Sequence, residues 1–175
     1  MSETLNKLNR IFDLAGTIAK AIMVLIVIVA AIVVAFMAVV ALFPDVLTTA
    51  AAAAPDVVLP SNNQLYSTSV AAILNMAFLY ILLYYINRLS KNITKSNTPF
   101  TVESVRYLEM MALVLFISAF ALPAISSLAS YAFGVWPDGA ISFSLYLLLT
   151  SIIVYFLSLI FKYGTTLQKE SDETL

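Results

Sequence analysis

Apolar and polar positions alternate along the chain in blocks rather than residue by residue. Four apolar runs cover residues 21–43, 70–86, 110–133 and 140–161, and none contains Asp, Glu, Lys, Arg or His. An α-helix needs about 20 apolar residues to cross the hydrocarbon core of a bilayer. A membrane β-strand would be about ten residues long with alternating polarity, which these runs lack. The pattern predicts an all-α integral membrane protein, a single four-span domain folded as a four-helix bundle.

The basic residues predict the orientation of these spans. All nine Lys and Arg residues lie in segments 1–20, 87–109 and 162–175, whereas segments 44–69 and 134–139 contain none. Lys and Arg concentrate in cytoplasmic segments of membrane proteins. We therefore expect a multi-pass protein of the cell (plasma) membrane with both termini in the cytoplasm.

Composition narrows the function classes. The chain is 62% hydrophobic and 11% charged, and it contains no Cys and no His. Ionisable residues inside spans mark ion paths and proton relays, so their absence here disfavours an ion-coupled transporter. General acid–base pairs and Cys/His metal sites are also missing from the spans. Asp45, Asp56 and Asp138, the only acids in the predicted outer segments, are far apart in sequence. We expect a non-enzyme without a cofactor.

The first 20 residues have the pattern of an amphipathic helix. Leu5, Leu8, Phe12 and Ala15 recur at helical spacing, with charged residues among the other positions. Such a helix can anchor to the inner membrane surface. It can equally serve to solubilise the end of the first span, and the sequence leaves both interpretations open.

The cytoplasmic connection "SKNITKSNTPFTVESVRYLEMM", residues 90–111, contains a helix stop and a helix start. Asn97 and Pro99 discourage continuation of the second helix. Thr101 is suited to cap the next helix, and Glu103 follows in its first turn, where the helix dipole favours an anion. The third helix is therefore predicted to extend into the cytoplasm, about two turns before its span begins.

Glu109 lies near the point where this third helix enters the bilayer. A carboxylate at that depth needs a partner or headgroup water. Arg88 and Lys162 are the candidate partners, because both are predicted to lie near the same membrane surface. Pro123, deeper in the span, is predicted to kink the helix because it lacks a backbone donor.

Small residues follow one face of the first span. Ala31, Ala35, Ala38 and Ala41 are spaced four, three and three residues apart. Such a stripe lets a neighbouring backbone approach closely in a membrane. Packing within the chain is the favoured interpretation, and a homo-oligomer seam is the alternative.

Two polar segments carry a family resemblance. The segment "TPFTVESVRYL" (98–108) and the end "FKYGTTLQKESDETL" (161–175) resemble the YoaS-like family of small four-helix bacterial membrane proteins of unknown function. The first segment matches through Pro99, Phe100, Thr101, Val105, Arg106 and Leu108. The second matches through Gly164, Leu167, Gln168, Glu170, Asp172, Thr174 and Leu175. Glu109 departs from the family, whose members tend to be basic there.

The resemblance implies a regulatory role rather than an activity. Genes of this family often stand beside a gene for a small helix-turn-helix DNA-binding protein, so the membrane protein is expected to hold or tune that regulator without binding nucleic acid directly. Besides the lipid bilayer and a homo-oligomeric copy, this regulator is the predicted partner. The predicted partner-binding residues in loop 87–109 and tail 162–175 are Pro99, Phe100, Thr101, Arg106, Gln168, Glu170 and Asp172.

Two alternatives accompany this prediction. The acidic tip of the tail, formed by Glu170, Asp172 and Glu173, is either a solvated end or a docking element for a basic partner. The chain as a whole could instead be a small uncoupled transporter, channel or immunity-type protein with a cavity near Pro123.

Overall fold

Regular structure in this chain is helical. The computed structural model describes residues 2–53, 60–136 and 143–173. Its helices are α1 (Ser2–Leu42), α2 (Val46–Ala53), α3 (Asn62–Ser96), α4 (Val102–Ala132) and α5 (Leu145–Glu173). All except α2 are long and apolar enough to cross a membrane. The predicted all-α fold with four membrane helices is confirmed, and α2 is an additional short helix that the hydropathy pattern did not predict.

The long helices continue beyond the predicted spans. Helix α1 contains 41 residues, which corresponds to about 60 Å at about 1.5 Å per residue. The hydrocarbon core is only about 30 Å thick. Residues 2–20 are continuous with the first span instead of forming a separate helix, and α5 runs through most of the predicted tail to Glu173. Each of these helices therefore has a portion long enough to project from the membrane.

The chain forms two compact units, and each contains parts of several helices. The first unit comprises the segment ending at Val24, Phe78–Ala119 and the segment beginning at Ser144. Its buried apolar α4 residues recur at intervals of three and four, as expected for one helix face packed inward. These residues are Val105, Leu108, Ala112, Leu115 and Ala119.

Within the first unit, α1 and α3 approach closely at Gly16. A Cβ atom on Gly16 would lie 3.2 Å from the Ser90 Cβ atom. The Ser90 hydroxyl donates a hydrogen bond to the Phe12 carbonyl oxygen at 2.7 Å. Nearby, Asn9 Nδ2 donates to Asn97 Oδ1 at 2.7 Å. Small residues and hydrogen bonds between helices are the usual means of association in a bilayer, where lipid is as apolar as leucine.

The second unit comprises Leu25–Ala77 and Phe120–Phe143. Val40, Leu47 and Leu65 form its buried apolar cluster, and Met37 packs against them. The hydroxyls of Ser67 and Ser130 lie 3.1 Å apart and join α3 to α4. Aromatic packing supports the same pair of helices, because the rings of Tyr66 and Phe133 stack at 5.8 Å.

The alanine stripe of α1 is not packed against the described residues of the chain. Ala31, Ala35, Ala38 and Ala41 are all exposed. The packed side of this part of α1 instead carries Val40, which is 1% exposed. Packing within the chain, the favoured interpretation of the stripe, is therefore wrong. The run 21–43 is apolar on every side, so hydropathy does not distinguish the packed face; the homo-oligomer alternative stays a prediction.

Pro123 lies inside the continuous helix α4. Because proline has no N–H, it cannot donate to the carbonyl of the residue four positions earlier, Ala119. The Ala119 carbonyl oxygen instead accepts a hydrogen bond from the Ser144 N–H at 2.8 Å. Ser144 precedes the first residue of α5, so this bond ties the start of α5 to α4.

Candidate functional site

The loop between α3 and α4 is defined by local hydrogen bonds. Helix α3 ends at Ser96, and Asn97 adopts a left-handed conformation with φ of 53°. Asn is one of the residues that accept this conformation just after a helix. The Ser96 hydroxyl donates to the Thr98 carbonyl oxygen at 2.7 Å, and the Phe100 N–H donates to Thr98 Oγ1 at 3.3 Å. The predicted helix stop at Asn97 and Pro99 is confirmed.

Thr101 caps α4 as predicted. The Ser104 N–H donates to Thr101 Oγ1 at 3.1 Å, which satisfies a backbone donor that the first turn leaves unpaired. Asn92 Nδ2 donates to Thr101 Oγ1 at 2.7 Å and to Ser104 Oγ at 3.0 Å. Ser104 is completely buried. The Thr101 hydroxyl is therefore engaged within the chain, and its role in this structure is to fix the start of α4 against α3.

The loop also contacts α5. The Phe100 ring packs against Phe161 with 5.6 Å between centroids. It lies over Gly164, where an added Cβ atom would overlap with Phe100 Cδ1. Thr98 Oγ1 donates to Gln168 Oε1 at 3.2 Å. We call Thr98, Phe100, Gly164 and Gln168 the loop–tail contact, because these residues join the two polar stretches that the sequence singled out.

Large apolar side chains remain exposed around the loop–tail contact. Phe100 is 38% exposed, Val102 62% and Leu167 46%. All three lie outside the predicted spans 110–133 and 140–161, although the helices that are long and apolar enough to cross a membrane, Val102–Ala132 and Leu145–Ser171, include Val102 and Leu167. Apolar surface that is exposed to water, rather than to lipid, is typical of protein interaction sites.

A cleft lies beside this contact, between α4 and α5. It has a volume of about 660 Å³. Three basic side chains and one carboxylate line it, which leaves a formal excess of two positive charges. We call it the basic cleft; it is lined by Val102, Val105, Arg106, Glu109, Lys162, Thr165, Thr166 and Lys169. Each helix contributes four of these residues, which lie three, one and three positions apart in the sequence. This spacing could have indicated that the four residues share one helix face.

A second cleft on the same pair of helices is mostly apolar. Its volume is about 500 Å³, and it shares Glu109 with the basic cleft. We call it the apolar cleft; it is lined by Glu109, Ala112, Leu113, Phe116, Ser151, Ile152 and Tyr155. Pro123 lines neither cleft.

The two partners predicted for Glu109 occupy different places. Lys162 lines the basic cleft together with Glu109. Arg88 is engaged elsewhere, because its Nε donates to the Tyr84 hydroxyl at 3.0 Å and its guanidinium lies 5.2 Å from the centroid of the same ring. Of the two predicted partners, only Lys162 lines the same cleft as Glu109.

The predicted site residues whose side chains are described lie at four locations. Phe100 and Gln168 belong to the loop–tail contact, and Pro99 lies half-buried in the same loop. Arg106 lines the basic cleft, and Thr101 is the cap. Glu170 is exposed on α5; the side chain of Asp172 falls outside the described part of the chain. Lys162 and Lys169 are not among the predicted site residues, because their charges were used to assign orientation and, for Lys162, to provide a candidate partner for Glu109.

Residues 2–53, 60–136 and 143–173 contain no group of three or more His, Cys, Asp or Glu side chains placed to hold a metal ion. One buried polar atom in these ranges, Asn87 Oδ1, has no hydrogen-bond partner. It lies near Gly16, where an added Cβ atom would be 3.5 Å away. Asn87 therefore marks a buried polar position in the α1–α3 contact.

Comparison with known proteins identifies an uncharacterised family, and the YoaS-like name and gene context stay predictions. No curated protein and no solved structure matches the chain. A family model described as a protein of unknown function matches residues 47–175. The match begins in α2 and includes α3, α4, α5 and the whole loop–tail contact, but not α1. The resemblance to an uncharacterised family is thus confirmed: this chain belongs to the DUF2975 family of proteins of unknown function.

Proposed function

We propose that this protein is a non-enzymatic regulatory protein of the bacterial plasma membrane, and that its cytoplasmic end binds a protein partner. The observation that carries the proposal is the loop–tail contact. Thr98 and Gln168 join two polar stretches that are distant in sequence. Phe100, Val102 and Leu167 remain exposed beside this contact, outside the predicted spans. A fixed surface with exposed apolar side chains is suited to protein recognition.

The distribution of basic residues supports a cytoplasmic location for this surface. All nine Lys and Arg residues lie in the segments that hold the chain termini or the α3–α4 loop. Under the positive-inside rule, these segments face the cytoplasm. A partner would then reach the loop–tail contact from the cytoplasm.

The partner we propose is a small helix-turn-helix regulator, as the resemblance to YoaS-like proteins implies. Proteins of that kind carry basic surfaces for DNA. The exposed carboxylate of Glu173 near the end of α5 offers the complementary charge. The regulator would be held at the membrane, and the membrane protein itself would not touch nucleic acid. The alternative, an uncoupled transporter, channel or immunity-type protein with a cavity near Pro123, stays a prediction without a specific observation in its favour.

Co-purification of the full chain with the regulator encoded beside it tests this proposal. Tagged protein extracted from the host membrane should retain the regulator. Leu167→Glu places a charge on the exposed surface and should abolish retention. Leu14→Glu is a matched control, because Leu14 is also exposed, at 60%, on a different helix. Absence of the regulator from the unmodified protein, or equal retention by both variants, would contradict the proposal.

A further inference from the structure

The two clefts lie on the same pair of helices, α4 and α5, and share Glu109, so that we describe them together as one groove. The basic cleft includes Arg106 of α4 and Lys162 of α5, and the apolar cleft includes Phe116 and Ile152. Residue numbers therefore rise along α4 while they fall along α5, as in an antiparallel pair. Glu109 lines both clefts and marks the boundary between the charged part and the apolar part. The groove is consequently polar at the end with Arg106 and Lys162 and apolar at the end with Phe116 and Ile152.

The distance from Arg106 and Lys162 to the apolar end of the groove corresponds to the hydrocarbon thickness of one leaflet of a bilayer. Ten residues separate Arg106 from Phe116, and ten separate Ile152 from Lys162, which corresponds to about 15 Å along each helix. Half of the hydrocarbon core is also about 15 Å. The apolar part of the groove thus lies at the depth of acyl chains when the charged part lies at the headgroups.

The charged part is positioned at the membrane surface. Arg106 precedes the predicted span 110–133, and Lys162 directly follows the predicted span 140–161. Arg106, Lys162 and Lys169 are all exposed. Long basic side chains near helix ends extend toward the headgroup region. Basic pockets between membrane helices are suited to anionic headgroups.

We propose that this groove binds one anionic phospholipid of the leaflet that faces the loop. Arg106, Lys162 and Lys169 bind its phosphate, and an acyl chain lies along Leu113, Phe116 and Ile152. The excess of two positive charges favours an anionic headgroup over a zwitterionic one, whose own cation would be repelled. A soluble anion would leave the apolar cleft unfilled. The carboxylate of Glu109 repels a phosphate that moves deeper, and so sets the depth of the headgroup.

Native mass spectrometry of the full chain with phosphatidylglycerol tests the proposal. We expect the protein to retain phosphatidylglycerol in preference to phosphatidylcholine. Arg106→Gln and Lys162→Gln should each weaken retention about fivefold, the effect of one basic residue at an anionic membrane surface. Glu109→Gln should strengthen it. Lys91→Gln removes an exposed positive charge outside the groove and should leave retention unchanged.

The apolar half of the groove has its own matched pair of variants. Ile152→Trp fills the apolar cleft and should displace the lipid, whereas Ile153→Trp, at an exposed neighbouring position outside the cleft lining, should not. Equal retention of the two lipids would overturn the proposal. So would equal weakening by Lys91→Gln, equal effects of the two tryptophans, or displacement of the lipid by inorganic phosphate at millimolar concentration, which would indicate an anion site without a chain. All substitutions are at exposed positions, so circular dichroism should report an unchanged fold.

Discussion

The N–H of Ser144 donates a hydrogen bond to the carbonyl oxygen of Ala119 at 2.8 Å. Ala119 is completely buried. This bond supplies the partner that Pro123 cannot offer within α4, because proline has no N–H. A buried polar group without a partner costs about 1–3 kcal/mol. Because of Pro123, the Ala119 carbonyl oxygen can accept the bond from Ser144 that fixes the beginning of α5 against α4.

Substitution of Pro123 should loosen this connection. Pro123→Ala restores an N–H within α4, which then competes with Ser144 for the Ala119 carbonyl. We expect amide hydrogen exchange at Ser144 to accelerate by about fivefold, the equivalent of about 1 kcal/mol for one hydrogen bond. Exchange in residues 102–108 serves as the internal control and should not change. Unaltered exchange at Ser144 would show that the bond does not depend on the proline.

The cap at Thr101 should contribute measurably to stability. Thr101→Ala removes the acceptor for the Ser104 N–H and for Asn92 Nδ2. The loss of an N-cap costs about 0.5–2 kcal/mol. Thermal unfolding in detergent should show a lower midpoint for Thr101→Ala and a nearly unchanged midpoint for Thr101→Ser, which keeps the hydroxyl. Equal midpoints for the alanine and serine variants would contradict the role of the hydroxyl.

Gly164 and Phe100 should be energetically coupled. The effect of Gly164→Ala on stability should change sign when the Phe100 ring is removed. Alanine is favoured over glycine within a helix by about 0.5–1 kcal/mol. At Gly164 this gain is opposed by overlap with the Phe100 ring, and overpacking costs about 1–3 kcal/mol. Gly164→Ala alone should therefore destabilise the protein, whereas in a Phe100→Ala background it should stabilise it. A double-mutant cycle by thermal unfolding measures this, and additive effects would rule out the contact.

Local chemistry explains which parts of the fold were predictable from the sequence. The four apolar runs, the stop at Asn97 and the cap at Thr101 each depend on residues close together in the chain. The contact of Phe100 with Gly164 depends on the approach of α5, which no local pattern indicates. The outward orientation of Ala35 in α1 was also not predictable, because this helix is apolar on every side. Helix α5 continues through the polar segment after the predicted span 140–161 and reaches Glu173. The apolar run did not indicate this continuation, because it ends at residue 161.

The absence of native cysteine makes the orientation directly testable. Single cysteines at Ser61 and Lys95, both exposed, sit at opposite ends of α3. In intact spheroplasts, a membrane-impermeant maleimide should label Ser61→Cys but should label Lys95→Cys only after permeabilisation. The reverse pattern would place the loop–tail contact outside the cell and exclude a cytoplasmic partner.

Site-specific photocrosslinking in living cells tests the central claim most directly. A photoreactive phenylalanine derivative at position 167 lies on the exposed surface next to the loop–tail contact, and the same group at position 14 serves as the control. We predict a covalent adduct between position 167 and the helix-turn-helix regulator encoded beside this protein, and none at position 14. No adduct at position 167, or adducts of equal yield at both positions, would contradict the proposed function.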